Sequence, residues 1–237
     1  MRQGGQILAK ILSELTTEVK PKVTTQFLED RTIELLKKYN TKSAFLGFNG
    51  YPKNICISIN DEVVHGIPNK SRIIEDGDLV KLDLGLIFNG YNTDSAVNIA
   101  VGEISTQEQK LIDSTKTALS QVVKEVKAGD RLGKIGKIIE ETALENGFTI
   151  VEDLTGHGIG KKLHEDPIVY NSGNENQGPI LKVGDTLAIE PMFSMGKPQI
   201  VILSDGWTIV TKDGSKTSHF EHTVAVTENG LEVLTQA

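Results

Sequence analysis

The feature of this sequence that most restricts its fold is an internal duplication. A shift of 107 residues aligns three separate pieces of the chain: Glu18-Val19-Lys20 with Glu125-Val126-Lys127, Gly77-Asp78 with Gly184-Asp185, and Asp83 with Glu190. One offset that aligns a helix end, a turn and an acidic residue in a strand is harder to explain by chance than any single match. The sequence therefore predicts two related halves, about residues 1–104 and 105–237, within a single domain.

Each half begins with helical patterns and continues with strand patterns. Apolar residues recur at helical spacing over Ile7–Leu15, Thr25 to about Tyr39, Leu111–Val126 and Leu132 to about Asn146, with Gly147 as a suitable end. Short segments rich in β-branched residues predict strands at Ile55–Ile59, Leu79–Phe88, Tyr91–Val101, Thr186–Ile189, Ile200–Leu203 and Phe220–Val226. Paired helices followed by hairpins indicate an α+β fold whose halves share one sheet and enclose a cleft.

The composition narrows the classes of protein to which the chain can belong. With 38% hydrophobic residues among 237, it can bury a core, and Cys56 as the only cysteine excludes an intramolecular disulfide. A cytoplasmic location is expected, because the sequence has neither an apolar stretch of membrane-spanning length nor a signal peptide at its start. The net charge of −7 argues against binding through a broad basic face, so neither nucleic acid nor membrane is an expected partner.

Two aspartates are predicted to lie side by side on a hairpin. Asn89-Gly90 suits a two-residue turn with positive φ, and a register centred on it places Asp94 opposite Gly85. Asp83 then faces Ala96, so both carboxylates project from the same face, with Gly85 leaving room between them. Neighbouring carboxylates repel unless one is protonated or a cation lies between them, which favours a metal site. The alternative is that both aspartates are solvated on an exposed face.

Three further residues have sequence contexts that suit a metal ligand. Glu190 lies in the apolar segment Leu187–Phe193, where an unpartnered carboxylate would be costly to bury. His157 lies in the glycine-rich segment Gly156–Gly160, predicted as a loop whose backbone permits close approach of an ion. Glu221 begins an alternating strand, with His219 two residues before it and His222 directly after it.

Each of these three residues also has a simpler alternative. Glu190 could belong to a helix cap or a buried ion pair, and Glu221 to a pair at a sheet edge. The glycine-rich segment could hold phosphate, although no Lys-Ser or Lys-Thr follows it in the P-loop pattern. Four carboxylates with one or two imidazoles favour two divalent metal ions, of Mn, Fe or Co, with Zn also compatible.

Five motifs follow one another in a distinctive order. They are Cys56–Pro68, the pair Asp83 and Asp94, Gly156–Gly160, Ile189–Met192 and Glu221–Thr223. Their order and spacing resemble those of the type I methionine aminopeptidases, over nearly the whole chain. The resemblance implies the pita-bread fold of creatinase and aminopeptidase, with two pseudo-two-fold-related halves, a shared antiparallel sheet and outer helices.

The resemblance also implies an activity and a metal centre. The chain is expected to remove N-terminal methionine from nascent polypeptides, with a preference for a small second residue. Hydrolysis would use a hydroxide that bridges two divalent metal ions. The implied ligands are Asp83, Asp94, His157, Glu190 and Glu221. Among them Asp83 chelates one ion, Asp94 and Glu221 bridge both, and His157 and Glu190 complete the other.

Further roles follow from the same resemblance. Glu190 would be the proton shuttle, His65 would contact the scissile amide nitrogen or the substrate, and His164 would hydrogen-bond the carbonyl and the tetrahedral intermediate. The methionine pocket would be lined by Phe48, Tyr51, Cys56, His65, Leu163, Met192 and Trp207, each of which could instead serve only in the core. Cys56 is not an expected nucleophile, because no base is predicted beside it.

The sequence departs from the family pattern at four positions. Phe45, Leu163, Asn92 and His219 stand where the family often has Cys, Phe, His and Gln. None of the four is an implied ligand or acid-base residue. The departures therefore concern the shape of the pocket and the efficiency of catalysis.

Three alternatives compete with this interpretation. A related pita-bread peptidase that cuts before proline would normally carry an extra N-terminal domain, for which 237 residues leave no room. A non-enzymatic binding protein on the same fold would usually have lost ligands, whereas all five positions are filled. An unrelated α+β scaffold with surface aspartates would not explain the repeated offset. The expected enzyme acts as a monomer on nascent, ribosome-associated polypeptides.

Overall fold

The structure, a computed structural model, describes residues 1–236. The helices in this part of the chain are α1 (Arg2–Thr16), α2 (Thr25–Lys38), α3 (Thr106–Glu125) and α4 (Gly133–Glu145). The strands are β1 (Lys42–Ser43), β2 (Cys56–Ile59), β3 (Glu62–Val64), β4 (Leu79–Phe88), β5 (Tyr91–Ala100), β6 (Thr149–Ile150), β7 (Thr155–Gly158), β8 (Glu165–Tyr170), β9 (Thr186–Ile189), β10 (Met192–Ser194), β11 (Ile200–Ile202), β12 (Ile209–Thr211), β13 (Thr217–His219), β14 (Glu221–Thr227) and β15 (Gly230–Val233).

The four predicted helices and six predicted strands are all present. α1 and α3 begin earlier than their first apolar residues, because polar residues extend their first turns. α3 also has a capping box, in which Ser105 accepts a hydrogen bond from the Glu108 backbone and the Glu108 side chain accepts one from the Ser105 backbone. The strands that the pattern did not predict mostly have two to four residues, too few to show an alternation.

One large sheet contains strands from both ends of the chain. Its order is β1-β4-β5-β14-β9-β7-β8, with β2 also paired to β4 and β15 to β14. The pairings in this sheet are antiparallel. Two three-stranded sheets, β13-β10-β6 and β11-β12-β3, lie beside it. The predicted α+β fold with a shared antiparallel sheet is therefore confirmed.

The 107-residue shift also relates backbone interactions. Three interactions of the first half occur again in the second half, with both residue numbers higher by 107. The β-bridge between Thr24 and Ile73 corresponds to that between Arg131 and Ile180, and the hydrogen bond from Lys22 N to Ile74 O corresponds to that from Gly129 N to Leu181 O. The turn in which Asp78 accepts from Glu75 N corresponds to the turn in which Asp185 accepts from Lys182 N. Corresponding parts of the sequence thus adopt the same local structure.

Alternation along β4 separates an apolar face from a polar one. Val80, Leu82, Leu84 and Leu86 are fully buried in a core with Leu8, Ile11, Leu12 and Leu15 of α1 and with residues of α2. A second core joins α3 and α4 to β9 and β14, and includes Leu119, Ile135, Leu187 and Val224. Because successive side chains of a strand point to opposite faces, Lys81, Asp83 and Gly85 project away from the helices.

Lys81 is a buried lysine that links separate parts of the fold. It is 1% exposed, and its Nζ donates to Asn60 O at 2.7 Å, Thr217 O at 3.3 Å and Thr217 Oγ1 at 3.1 Å. Burial lowers the pKa of this ammonium group to about 7. β4 is thereby joined to the turn between β2 and β3 and to β13, next to the strands that carry the candidate site.

Candidate active site

Two candidate carboxylates lie in one row across the middle of the large sheet. In the β4-β5 hairpin, Asp83 pairs with Ala96 and Gly85 pairs with Asp94, which confirms the predicted register. Glu221, the first residue of β14, pairs with Ala96 from the other side. Asp83, Ala96 and Glu221 therefore project from the same face, and the small side chain of Ala96 leaves space between the two carboxylates.

The neighbouring row of the sheet carries Asp94 and His157. Thr223 holds the Asp94 backbone from both sides, since its Oγ1 accepts from Asp94 N at 2.8 Å and donates to Asp94 O at 2.8 Å. Thr223 in turn pairs with Ala188, and Ala188 pairs with His157. Strand pairing between distant parts of the chain thus brings the two residues to the same face.

His157 lies in strand β7, and not in the predicted loop. Its flanking glycines are needed for close packing of backbones: an added Cβ would lie 2.3 Å from Ala188 O at Gly156 and 2.2 Å from Asp166 O at Gly158. The glycine-rich motif therefore marks a strand crowded by its neighbours, which holds the imidazole in a fixed place. His157 Nδ1 lies 2.8 Å from Gly158 O, which leaves Nε2 facing the carboxylates.

Glu190 lies between two histidines. Its Oε1 is 3.7 Å from His157 Nε2, and its Oε2 is 3.5 Å from His219 Nε2. His219 is 1% exposed, and among the described residues neither of its ring nitrogens has a hydrogen-bond partner. The sequence interpretation gave His219 no part in the chemistry. His219 lies two residues before Glu221, next to a predicted strand. This spacing was the signal that could have placed the two side chains on the same side.

The carboxyl groups of this cluster all have raised pKa values. Burial raises the pKa of Asp83, Glu190 and Glu221 well above the ordinary range, and the neighbouring carboxylates raise it further. Burial likewise raises the pKa of Asp94, to about 7, although a hydrogen bond from Ser95 N opposes the shift. Several buried negative charges at close range favour either protonation or a bound cation.

The donor atoms fit a divalent cation. One ligand atom each from Asp94, His157 and Glu221 lie within 4.8 Å of one another. Asp83 Oδ1 and Glu221 Oε1 are buried without a hydrogen-bond partner among the described residues, so both oxygens are free to act as ligands. Carboxylate oxygens with imidazole nitrogen form the ligand set of Mn, Fe, Co and Zn sites.

Two more histidines lie at the edge of this cluster. The rings of His157 and His164 are 4.1 Å apart, and the ring of Phe48 meets His164 edge to face at 5.0 Å. Burial lowers the pKa of His65 to about 4, with a further effect from the charge of His164, and burial also lowers the pKa of His164. Both imidazoles are therefore neutral at pH 7, and each can donate one hydrogen bond and accept another.

A cavity of about 890 Å³ opens over the carboxylates. It is lined by all of the predicted metal, catalytic and substrate-binding residues, namely Asp83, Asp94, His157, Glu190, Glu221, His65, His164, Phe48, Tyr51, Cys56, Leu163, Met192 and Trp207. Tyr51 meets Trp207 edge to face at 5.1 Å, and its hydroxyl donates to Ile55 O and Gly66 O. Burial raises the pKa of the Cys56 thiol well above its usual range, which disfavours a thiolate nucleophile.

The structure changes two details of the predicted pocket. The space at Gly85 is not left open between the aspartates, because the ring of Phe45 fills it: an added Cβ would lie 2.5 Å from Phe45 Cε1. Leu154 and Ile168 also line the cavity, although the sequence did not identify them. Ile168 is 50% exposed in β8, so its side chain lies at the mouth of the cavity.

Comparison with known proteins agrees with this geometry. A sequence model of metallopeptidase family M24 matches residues 1–228. The chain is 45% identical to the methionine aminopeptidase of Clostridium acetobutylicum over 235 residues, which cover 99% of this chain and 94% of that one. The crystal structure of methionine aminopeptidase from Thermotoga maritima superimposes with a TM-score of 0.99 at 42% identity, covering 100% of this chain and 95% of that one.

A more distant structure shows the extent of the fold. Prolidase from Pyrococcus furiosus matches with a TM-score of 0.79 at 23% identity, and the match covers 100% of this chain but 62% of that one. The fold is the one that these metallopeptidases share, the pita-bread fold. The chain belongs to metallopeptidase family M24 and, within it, to the methionine aminopeptidases.

Proposed function

We propose that this metallopeptidase removes the N-terminal methionine from polypeptides whose second residue is small. The observation that supports the proposal most is that an apolar, aromatic pocket and a row of buried carboxylates and imidazoles line the same cavity. A flexible thioether side chain suits the pocket formed by Tyr51, Cys56 and Trp207. A bulky second residue would crowd the carboxylates beside the scissile bond.

Two divalent metal ions are held by Asp83, Asp94, His157, Glu190 and Glu221 in this proposal. Bound ions would convert water into a nucleophile at neutral pH and would stabilise the negative charge that forms on the substrate carbonyl oxygen. Mn, Fe and Co suit the ligand set, and Zn is compatible with it.

Glu190 carries the proton from the attacking water to the leaving amine. Its carboxyl group is held in place by the contact of Oε2 with His219 Nε2 at 3.5 Å, beside the position where the water would attack. His164, neutral and part of the cavity wall, donates to the substrate carbonyl oxygen and to the tetrahedral intermediate. His65 contacts the scissile amide nitrogen. The pocket aromatics orient the methionine and exclude water from its side chain.

The remaining features of the proposal concern the whole chain. Residues 1–237 form one catalytic domain, built from halves at about 1–104 and 105–237. The protein acts as a cytoplasmic monomer on nascent chains at the ribosome, without a requirement for nucleic acid. Among residues 1–236, no helix is both long and apolar enough to span a membrane.

The test combines metal analysis with two peptide assays. The purified protein is expected to bind two divalent ions per chain and to release methionine from Met-Gly-Met, with activity lost in excess chelator and restored by added metal. An Ala-Pro dipeptide serves as the substrate of the proline-specific peptidases. Full activity in excess chelator would falsify the metal mechanism. Faster hydrolysis of Ala-Pro than of Met-Gly-Met would show that the enzyme is a proline-directed peptidase.

A further inference from the structure

A second cavity continues the active-site cavity along the surface. It has a volume of about 420 Å³ and lies between α4, residues 149–155 and residues 170–172. Asp153, Leu154 and Thr155 line both cavities, so the two are joined along this segment. We call the second cavity the outer groove. We propose that the outer groove binds the part of the substrate polypeptide that follows its second residue, which extends the proposed aminopeptidase function.

The walls of the outer groove suit an extended chain. β6 is an edge strand of the sheet β13-β10-β6, and β8 is an edge strand of the large sheet. The groove lies between them, since Ile150 of β6 and Tyr170 of β8 both line it. Edge strands offer backbone N–H and C=O groups with which an extended peptide can pair.

Exposed apolar side chains mark the path from one cavity to the other. Ile168 at the mouth of the active site and Tyr170 in the groove lie two residues apart on β8, and therefore on the same side of the strand. Tyr170 is 59% exposed, and Leu144 of α4, across the groove, is 65% exposed. A substrate that covers these two side chains would remove apolar surface from water.

Asn171 provides an unused hydrogen-bond acceptor in the groove. It is 3% exposed, and its Nδ2 donates to Glu190 O at 3.0 Å. Its Oδ1 is buried and has no partner among the described residues. A backbone N–H of the substrate is the donor that would satisfy it. Asn171 thus connects the groove to the backbone of the proposed proton shuttle.

The charge of the outer groove selects the kind of peptide. Glu140, Glu152 and Asp153 line it, whereas no lysine or arginine does so among the described residues. Polypeptides with apolar and basic residues after the second position should bind better than acidic ones, most clearly at low ionic strength.

The test compares a short and a long substrate, Met-Gly-Ser amide and Met-Gly-Ser-Leu-Lys-Leu-Gly amide. The wild-type enzyme should cleave the long peptide with a kcat/KM about 5- to 10-fold higher, as expected for burial of one or two apolar side chains. Replacing Leu and Lys in the long peptide by Glu should abolish this advantage. Equal efficiency for all three peptides would overturn the proposal.

Variants locate the effect in the groove. Tyr170→Ser and Leu144→Ser should each reduce the advantage of the long peptide without changing turnover of the short one. Ile33→Ser, a change at a 47% exposed apolar residue of α2, is the matched control and should alter neither. Loss of both activities in equal proportion, or an effect of the control variant equal to that of Tyr170→Ser, would contradict the assignment.

Photo-crosslinking separates the groove from the proposed activity, because it needs no turnover. A long peptide with a benzophenone at its fifth position should label residues 149–155 or 170–172 of the wild-type protein in the presence of chelator. Labelling elsewhere on the surface would refute the outer groove. Failure to cleave Met-Gly-Ser would count against the aminopeptidase function alone.

Discussion

The two proposed halves place corresponding carboxylates in different surroundings. Asp83 lies within β4, a strand of ten residues, and among its charged neighbours the carboxylate of Asp94 raises its pKa most. Glu190 follows β9, a strand of four residues, and lies between the imidazoles of His157 and His219. The charge of Asp94 therefore raises the pKa at both positions, and Glu190 in addition has imidazole nitrogens 3.7 and 3.5 Å away.

This difference suggests that the two acids have different chemical roles. Carboxylates that face one another are stable only with protons or a cation between them, so Asp83 is expected to act in metal binding alone. Glu190, in the proposal both a ligand and the proton shuttle, has two imidazoles beside it that can orient its carboxyl group. We therefore expect changes at Asp83 to act mainly on metal affinity, and changes at Glu190 mainly on turnover.

The largest effect is expected for Glu190→Gln. An amide cannot carry a proton, so kcat for Met-Gly-Met at saturating metal should fall by about 10²- to 10⁴-fold, the usual size of a general acid-base contribution. Circular dichroism should show an unchanged fold. Glu228→Gln, which alters an exposed carboxylate after β14, is the control. If Glu190→Gln kept more than a tenth of the activity, the second half would have no special role in proton transfer.

Asp83→Asn should separate metal affinity from stability. Loss of a charged ligand should weaken metal binding by at least about 10-fold, measured by titration with Mn²⁺ or Co²⁺. The metal-free protein should melt at the same or a higher temperature, because the substitution removes repulsion between Asp83 and Asp94. A variant that binds metal normally but turns over slowly would show that the two halves do not differ in this way.

Lys81→Met should weaken the connection between β4 and β13. Removal of the ammonium group leaves the carbonyl oxygens of Asn60 and Thr217 without this donor, so the free energy of unfolding should fall by roughly 1–3 kcal/mol. Urea denaturation with and without metal measures the effect, which should be similar in both. Lys212→Met, at an exposed lysine just after β12, is the comparison. An increase in stability would mean that burying the charge costs more than its hydrogen bonds return.

The smallest effect concerns the start of α3, which is capped by side chains, whereas the start of α1 is not. Burial opposes ionisation of Glu108, but hydrogen bonds from Lys216 and Ser105 outweigh it and lower the pKa to about 2. Since this pKa lies below the ordinary value, Glu108 stabilises the fold above about pH 4.5, and the stabilisation is lost as the pH falls towards 2.

Glu108→Gln should therefore cost about 1 kcal/mol at pH 7 and progressively less between pH 4.5 and 3. Unfolding by urea at several pH values measures the difference from wild type. Glu125→Gln, at the exposed far end of α3, should show no such trend. A difference that stays constant down to pH 3 would mean that the ionised form of Glu108 is not the stabilising one.

Much of the fold follows from local patterns in the sequence. The positive φ values of Asn89 and Gly90, 50° and 78°, are those of the predicted turn, and they fix the register that aligns Asp83 with Ala96. Helix spacing identified the four helices because each has an apolar face to bury. Strands as short as β10 or β13 have too few residues for a pattern, so only their pairing partners define them.

Parts of the candidate site could not be derived in this way. The glycines around His157 suggested a flexible loop. In the structure they lie in β7, where neighbouring backbones approach too closely for a side chain. Phe45 fills the space at Gly85, a contact between residues forty positions apart that no local pattern encodes. His219 could be counted as a histidine near an acid, but its position beside Glu190 depends on how β10 and β13 pair.

The sequence by itself determined the hairpin, the duplication and the motifs that resemble one family, because each depends on residues close together or on a repeated order. Only the tertiary structure decided how the two rows of the sheet meet. Asp94 and Thr223 are joined through hydrogen bonds between β5 and β14, strands from different halves. Such pairing depends on the burial of both cores against a common sheet, and it brings acids from both halves to one face of that sheet.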